Sequence, residues 1–384
     1  MSELWPLPAD PIVAEVRDAA TRLRLAERYR ELDREPRFPR EEFRGLGAAG
    51  LLGLTIPSSL GGRGLPPARA AVGLFHLGYL GGTAFAKLSL QPEFCSVLAD
   101  RGSPELVDRW FRPLLHGERL VGNQITEPGA GSDASAIALQ AAPADGGYAL
   151  TGTKSEAAFA VDADAAIVSG RSPGSSRAEG VSAFLVEQGR SGVRCRLDPP
   201  DLGERWMRRG AVAYDRVRVA TAERIGEEGR GFSYLKDELA RERGLLAAIY
   251  LGVARASWDE TVRYVGERVA FGRRLADQQA VAFPLVDDGA ELEASWLFTV
   301  RALEHLHTGQ DDGAETAVAK VRATRVALRT LEHAIQFHGG PGYSSRLPHE
   351  QRWRDVRSGP IAHGASEVLE GVAARRLWPR EARR

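Results

Sequence analysis

The chain has 384 residues, and its 51 Lys and Arg balance 51 Asp and Glu, giving a formal net charge of zero. That balance argues against bulk charge as a means of holding nucleic acid or an anionic membrane, while the length is enough for two or three packed subregions. Two cysteines, Cys95 and Cys195, are too few for a disulfide framework or a thiolate zinc site.

The N-terminus, MSELWPLPADPIVAEVRDAA, lacks a basic start followed by an apolar run, so it does not read as a signal peptide. No stretch of about twenty uninterrupted apolar residues is present. The expectation is a soluble, cytoplasmic protein.

Three zones follow in chain order. Residues 1–120 show helical periodicity broken by turn chemistry at GLTIPSSLGGRGLPP (53–67). Residues 121–229 change character: Tyr148–Thr151, Ala165–Val168, Val181–Val186 and Ala211–Val219 are short, β-branched or aromatic runs between Gly, Pro, Asp and Ser turns. Residues 230–384 return to long helices, predicted from about 230 and then over 276–308, 312–338 and 364–378. In the first of these, Leu235, Leu239, Glu242, Leu246, Ile249 and Val253 form one helical stripe, which places a carboxylate on an apolar face. Helices, then a sheet, then a helical bundle make the fold class α+β by segregation.

The loop ITEPGAGSD (125–133) carries two glycines that let backbone N–H groups approach an anion, with the Thr126 and Ser132 hydroxyls beside them. GGYALTGTKS (146–155) fails as a P-loop because Thr153 separates glycine from Lys154 and no strand-to-helix step follows. No dinucleotide fingerprint and no GxSxG elbow occur. His305 and His307, with His333 and His338 near a helix end, lack the carboxylate array of a metal site, so no metal is expected.

Taken together and in this order, five segments resemble the acyl-CoA dehydrogenase family over nearly the whole chain: FRGLGAAGLLGLTIPSSLGGRGL (43–65), ITEPGAGSD, FLVEQGRSGV (184–193) with DRVRVATAERIGEEGRGF (215–232), ERVAFGRRLADQQ (267–279) and QFHGGPGY (336–343). The resemblance implies an N-terminal helical domain, a central β domain and a C-terminal four-helix domain, with FAD between the last two near a subunit interface of a homodimer or homotetramer. It implies that Thr126 and Ser132 contact the cofactor. It also implies that Arg268, Phe271 and Gln279 reach the cofactor of a neighbouring subunit, with Gln336, Gly339 and Gly340 nearby.

Two positions depart from the family pattern. Glu156 stands where the family has a Trp packed on the flavin, and a carboxylate there disfavours the reduced cofactor unless it turns to solvent or pairs. His363 stands at the family's usual catalytic Glu. Other members carry the base on the first helix of the C-terminal domain, and ten residues after Phe232 that position is Glu242, whose apolar surroundings should raise its pKa toward a useful base.

The base is therefore Glu242 or His363, and the implied activity is FAD-dependent α,β-desaturation of an acyl thioester carried on coenzyme A or a carrier protein. The alternative is an oxygenase, an oxidase or a catalytically silent partner subunit on the same fold.

Overall fold

A computed structural model describes residues 5–175 and 179–378. Residues 1–4, 176–178 and 379–384, which include the first residues of the N-terminal zone and the last of the C-terminal one, lie outside the described part.

The N-terminal zone packs α1 (Ile12–Arg22), α2 (Leu25–Arg34), α3 (Arg40–Ala48) and α4 (Pro67–Ser89), followed by short helical turns between 93 and 115. Helix α4 breaks at Gly82, whose φ of 68° and ψ of −169° are not helical. The ring of Tyr29 fills the place where a side chain at that position would stand, which only glycine permits.

The middle zone is an eight-stranded sheet built from β1 (Val121–Gln124), β2 (Gln140–Ala144), β3 (Gly147–Ala157), β4 (Ala165–Arg171), β5 (Val181–Glu187), β6 (Val193–Leu197), β7 (Gly210–Ala220) and β8 (Arg224–Ile225). Its order is β6-β7-β3-β2-β4-β5-β8, with β1 pairing parallel to β4. Four of these strands, β1, β2, β6 and β8, were not among the predicted runs. Pro143 within QAAPA and the exposed, Arg-rich VRCRL hide the apolar alternation that marks a strand.

The C-terminal zone consists of α5 (Gly231–Glu267), a small hairpin of β9 (Val269–Ala270) and β10 (Arg273–Arg274), α6 (Gln279–His307), α7 (Ala314–His338), α8 (His349–Val356) and α9 (Ser366–Leu377). Helix α5 crosses α4 at close range, because a side chain on Gly252 would run into the Phe75 carbonyl and one on Gly78 into Ile249. From Gly244 to Asp259 every residue of α5 is buried, so the predicted single stripe holds only for its first turns. Even there the structure corrects it: Leu239 is half-exposed, and Glu238 turns inward in its place.

One apolar core runs from the N-terminal helices through α5, α6 and α7, and a second fills the β zone. The zones meet at Asp355, a fully buried carboxylate on α8. It accepts from Tyr29 Oη at 2.7 Å, Thr83 Oγ1 at 2.9 Å and the Glu204 backbone N–H at 2.6 Å. Beside it Lys87 of α4 pairs with Glu204 at 2.5 Å and donates to Ser358 Oγ at 3.4 Å, which fixes the turn leading to His363. No helix among the described residues is long and apolar enough to cross a membrane.

Candidate active site

Glu242 and His363 lie 121 residues apart and meet in a hydrogen bond, His363 Nδ1 to Glu242 Oε2 at 3.0 Å. Two rival bases thus become one pair. Glu242 is buried on α5, and desolvation pushes its carboxyl up to about 8, with the Arg243 and Arg241 charges opposing. Burial, together with the charges of Lys87 and Lys320, pushes the His363 imidazole down to about 3. Both shifts favour uncharged partners, so near neutrality the pair holds one proton on Glu242 beside a neutral imidazole. A quarter of the His363 side chain remains exposed, at 27%, so the pair opens outward on the imidazole side.

Three contacts set the imidazole in place. Its ring stacks on Phe94 with centroids 4.7 Å apart. Its backbone sits in the left-handed region at φ 53°, which costs about 1–2 kcal/mol for a side chain of this kind. Lys320 of α7, buried, donates to the carbonyls on both sides, Ala362 O and Gly364 O at 2.8 Å, and Arg243 Nε donates to His363 O at 3.3 Å. Chain-distant donors therefore hold a turn that the local sequence disfavours.

Residues beyond the predicted ones complete the surroundings. Glu238, one turn before Glu242, accepts from Asn123 Nδ2 at 3.2 Å, and the same amide donates to Phe94 O at 3.0 Å. Glu93, next to Phe94, is buried and pushed up to about 7 by desolvation. The i, i+4 spacing of Glu238 and Glu242 was a legible signal, whereas nothing local marks Glu93, Lys87 or Lys320.

The expected cofactor residues form two surfaces. Thr126 and Ser132 stand on the loop after β1, which the β zone grips from below. Buried Lys154 donates to Glu127 Oε1 at 2.8 Å and Ile125 O at 2.9 Å. Glu127 in turn accepts from the Ala138 and Leu139 N–H groups at 2.7 and 3.1 Å, and Arg171 donates to Ser135 O and Ile137 O, both at 2.6 Å. A cleft of about 480 Å³ runs along this loop between Glu127–Gly129, Ala136–Leu139 and Gly152–Thr153.

The second surface is on the bundle: Arg268, Phe271 and Gln279 lie at and beyond the end of α5, while Gln336, Gly339 and Gly340 lie at the end of α7. Phe271 is 97% exposed at the tip of the hairpin. Within one chain no hydrogen bond or ion pair among the described residues joins this surface to Thr126 or Ser132.

This set fits a flavin dinucleotide. Among the described residues, the side chains of Thr126, Ser132, Arg268, Gln279 and Gln336 make no hydrogen bond within the chain, and the space over Gly129, Gly131, Gly339 and Gly340 is open for 4 Å. Uncommitted hydroxyl, amide and guanidinium donors beside bare backbone suit a pyrophosphate and a polar ring edge. Glu156 does not obstruct them. At φ 54° it leaves the strand line, its side chain is 58% exposed, and its nearest cation is Arg209 at 3.8 Å.

Comparison with known proteins agrees over the full length. The chain matches the N-terminal domain of acyl-CoA dehydrogenase over residues 10–118, its middle domain over 122–217 and its C-terminal domain over 229–378. It is 33% identical over 359 residues to benzylmalonyl-CoA dehydrogenase of Aromatoleum aromaticum, covering 92% of this chain and 94% of that one. A solved structure of PigA with FAD and proline superposes at a TM-score of 0.90 with 25% identity, over 98% of this chain and all of that one. Butyryl-CoA dehydrogenase of Megasphaera elsdenii superposes at 0.89 with 27% identity, over 97% and 99%.

Proposed function

The chain belongs to the acyl-CoA dehydrogenase family, and we propose that it is an FAD-dependent oxidoreductase that desaturates an acyl thioester, with Glu242 as its base. The observation that carries this reading is the buried Glu242–His363 pair at 3.0 Å. It supplies a carboxylate whose affinity for a proton is raised by burial and whose geometry is held by a neutral imidazole.

In the reaction, the thioester carbonyl acidifies the α-C–H, and Glu242 takes that proton while the β-hydrogen leaves with its electron pair, giving an enoyl thioester. FAD, when bound, supplies the acceptor for that hydride. Thr126 and Ser132 would hold it on the β side, with Gln336, Gly339 and Gly340 nearby. Arg268, Phe271 and Gln279 would reach the FAD of a second copy in a homodimer or homotetramer. The neighbour solved with FAD supports this cofactor. His363 orients Glu242 and, as an uncharged ring, accepts or donates at Nδ1 according to which partner holds the proton. The carrier is coenzyme A or the phosphopantetheine arm of a carrier protein. Of the two features that favoured a different chemistry on the same fold, Glu156 is turned to solvent and His363 is bonded to Glu242.

The test is anaerobic bleaching of the flavin's visible absorbance by acyl thioesters. Glu242→Gln should slow it by about 10²–10⁴-fold with flavin content retained. Bleaching at the native rate removes Glu242 as base.

A further inference from the structure

Glu242 is not the only buried carboxylate at this site. Glu238 and Glu93 are also buried, at 2% and 5% exposure, and neither forms an ion pair among the described residues. The nearby guanidiniums are directed elsewhere: Arg241 to Asp100 and Ser96, both at 2.9 Å, and Arg243 to the His363 carbonyl. Glu238 takes only amide donors, Asn123 Nδ2 at 3.2 Å and the Val97 N–H at 3.4 Å. Glu93 Oε1 takes the Thr55 N–H at 3.0 Å and its hydroxyl at 3.1 Å, but Oε2 is buried with no hydrogen-bond partner among the described residues.

Asn123 ties two of them together, since its amide donates both to Glu238 and to the carbonyl of Phe94, the residue after Glu93, and the neighbouring Cys95 thiol is raised by burial and by the charges of Glu238, Glu242 and Glu93. Three carboxyl groups in a dry site either keep their protons, as the raised Glu242 and Glu93 do, or are completed by a cation, and the orphan Glu93 oxygen is the one that no donor among the described residues meets.

We propose that the acyl group of the substrate carries a protonated nitrogen, and that Glu93 and Glu238 form the subsite that receives it. This rests on Glu242 being the base. The four-residue step from Glu238 to Glu242 is about 6 Å along the helix, roughly four or five bonds of extended chain. The nitrogen therefore belongs four or five bonds beyond the α-carbon, as in a 5-aminopentanoyl or 6-aminohexanoyl group.

Such a cation also changes the base. Glu242 is faced by His363, by Glu238, Arg241 and Arg243 of its own helix, and by Glu93 and Cys95 of the short helical turn at 93–95 in the N-terminal zone, with Lys87 and Lys320 behind the imidazole. An ammonium among the acidic members lowers the pKa of Glu242 and readies it to accept the α-proton.

The experiment compares 5-aminopentanoyl-pantetheine with hexanoyl-pantetheine, which differ by one terminal NH₃⁺ for CH₃ and present the arm common to both carriers. The FAD-loaded enzyme should prefer the amino thioester in kcat/KM by about 10–100-fold, the worth of one desolvated charge-assisted contact. Glu93→Gln and Glu238→Gln should each bring that ratio toward one. With the amino thioester, the kcat profile should turn at a lower pH than the kcat/KM profile.

Oxidation of the hexanoyl thioester at least as well overturns the subsite and leaves the base assignment standing. Calorimetry reads the subsite without turnover. If neither thioester bleaches the flavin yet the amino form binds at least about tenfold tighter, the subsite holds and the base reading fails. Equal binding overturns the subsite.

Discussion

Lys154→Met removes the cation that anchors the loop carrying Thr126 and Ser132. Lys154 is fully buried, and its ammonium serves Glu127 Oε1 and the Ile125 carbonyl. Its loss leaves a carboxylate that is 7% exposed without a counter-charge, a change that costs about 3–5 kcal/mol in buried pairs. Glu127 keeps the Ala138 and Leu139 N–H groups, which places the cost at the lower end, about 3 kcal/mol.

Unfolding entropy scales with chain length, so this cost lowers Tm by about 4 °C if the chain melts as one unit and by about 13 °C if the 121–229 zone melts alone. Calorimetry reads the melting, and flavin fluorescence titration reads FAD affinity, which should weaken by at least about tenfold as the loop loosens. Glu156→Gln is the control: that side chain is exposed, and its change should stay within about 0.5 kcal/mol. A Lys154→Met shift below about 1 °C with unaltered FAD affinity would refute the anchoring argument.

Three further outcomes are expected. With a neutral thioester, kcat/KM should rise with pH through about 8, because Glu242 must shed its raised proton before it takes another. His363, pushed down to about 3, stays neutral and should add no inflection between about pH 5 and 9; a flat profile through pH 8 contradicts the assignment. Lys320→Met frees the turn that holds His363 at positive φ. It should cut kcat by roughly tenfold (1.4 kcal/mol), with KM little changed and the inflection displaced; an unchanged pH profile would reduce Lys320 to a purely structural group. Arg268→Ala and Phe271→Ala alter side chains exposed on a single chain. Both should lower FAD content, and the Phe271 change should also shift light-scattering mass toward monomer; full FAD content in both disproves their reach to a neighbouring cofactor.

Much of the architecture was legible because it depends on local pattern. Helical periodicity and turn chemistry located the three zones, and the predicted helices 276–308, 312–338 and 364–378 differ by a few residues from the observed Gln279–His307, Ala314–His338 and Ser366–Leu377. Five ordered motifs named the family. The stripe on α5 put Glu242 on an apolar face, since burial of a helix side chain follows from neighbours three and four residues away.

Other features were outside the reach of local pattern. Helix α5 is buried all round from Gly244 to Asp259, and in the turns before that the core takes Glu238 in place of Leu239, a choice that a stripe of apolar residues does not mark. The outward turn of Glu156 depends on a positive φ within β3 that the sequence alone does not mark. The meeting of Glu242 with His363, and of both with Glu93, Phe94 and Lys320, spans four separate segments. Hydrogen bonds across 121 residues form only once α4, α5 and α7 have packed, because side-chain encounters at that separation are set by the shape of the core, which local propensity does not encode.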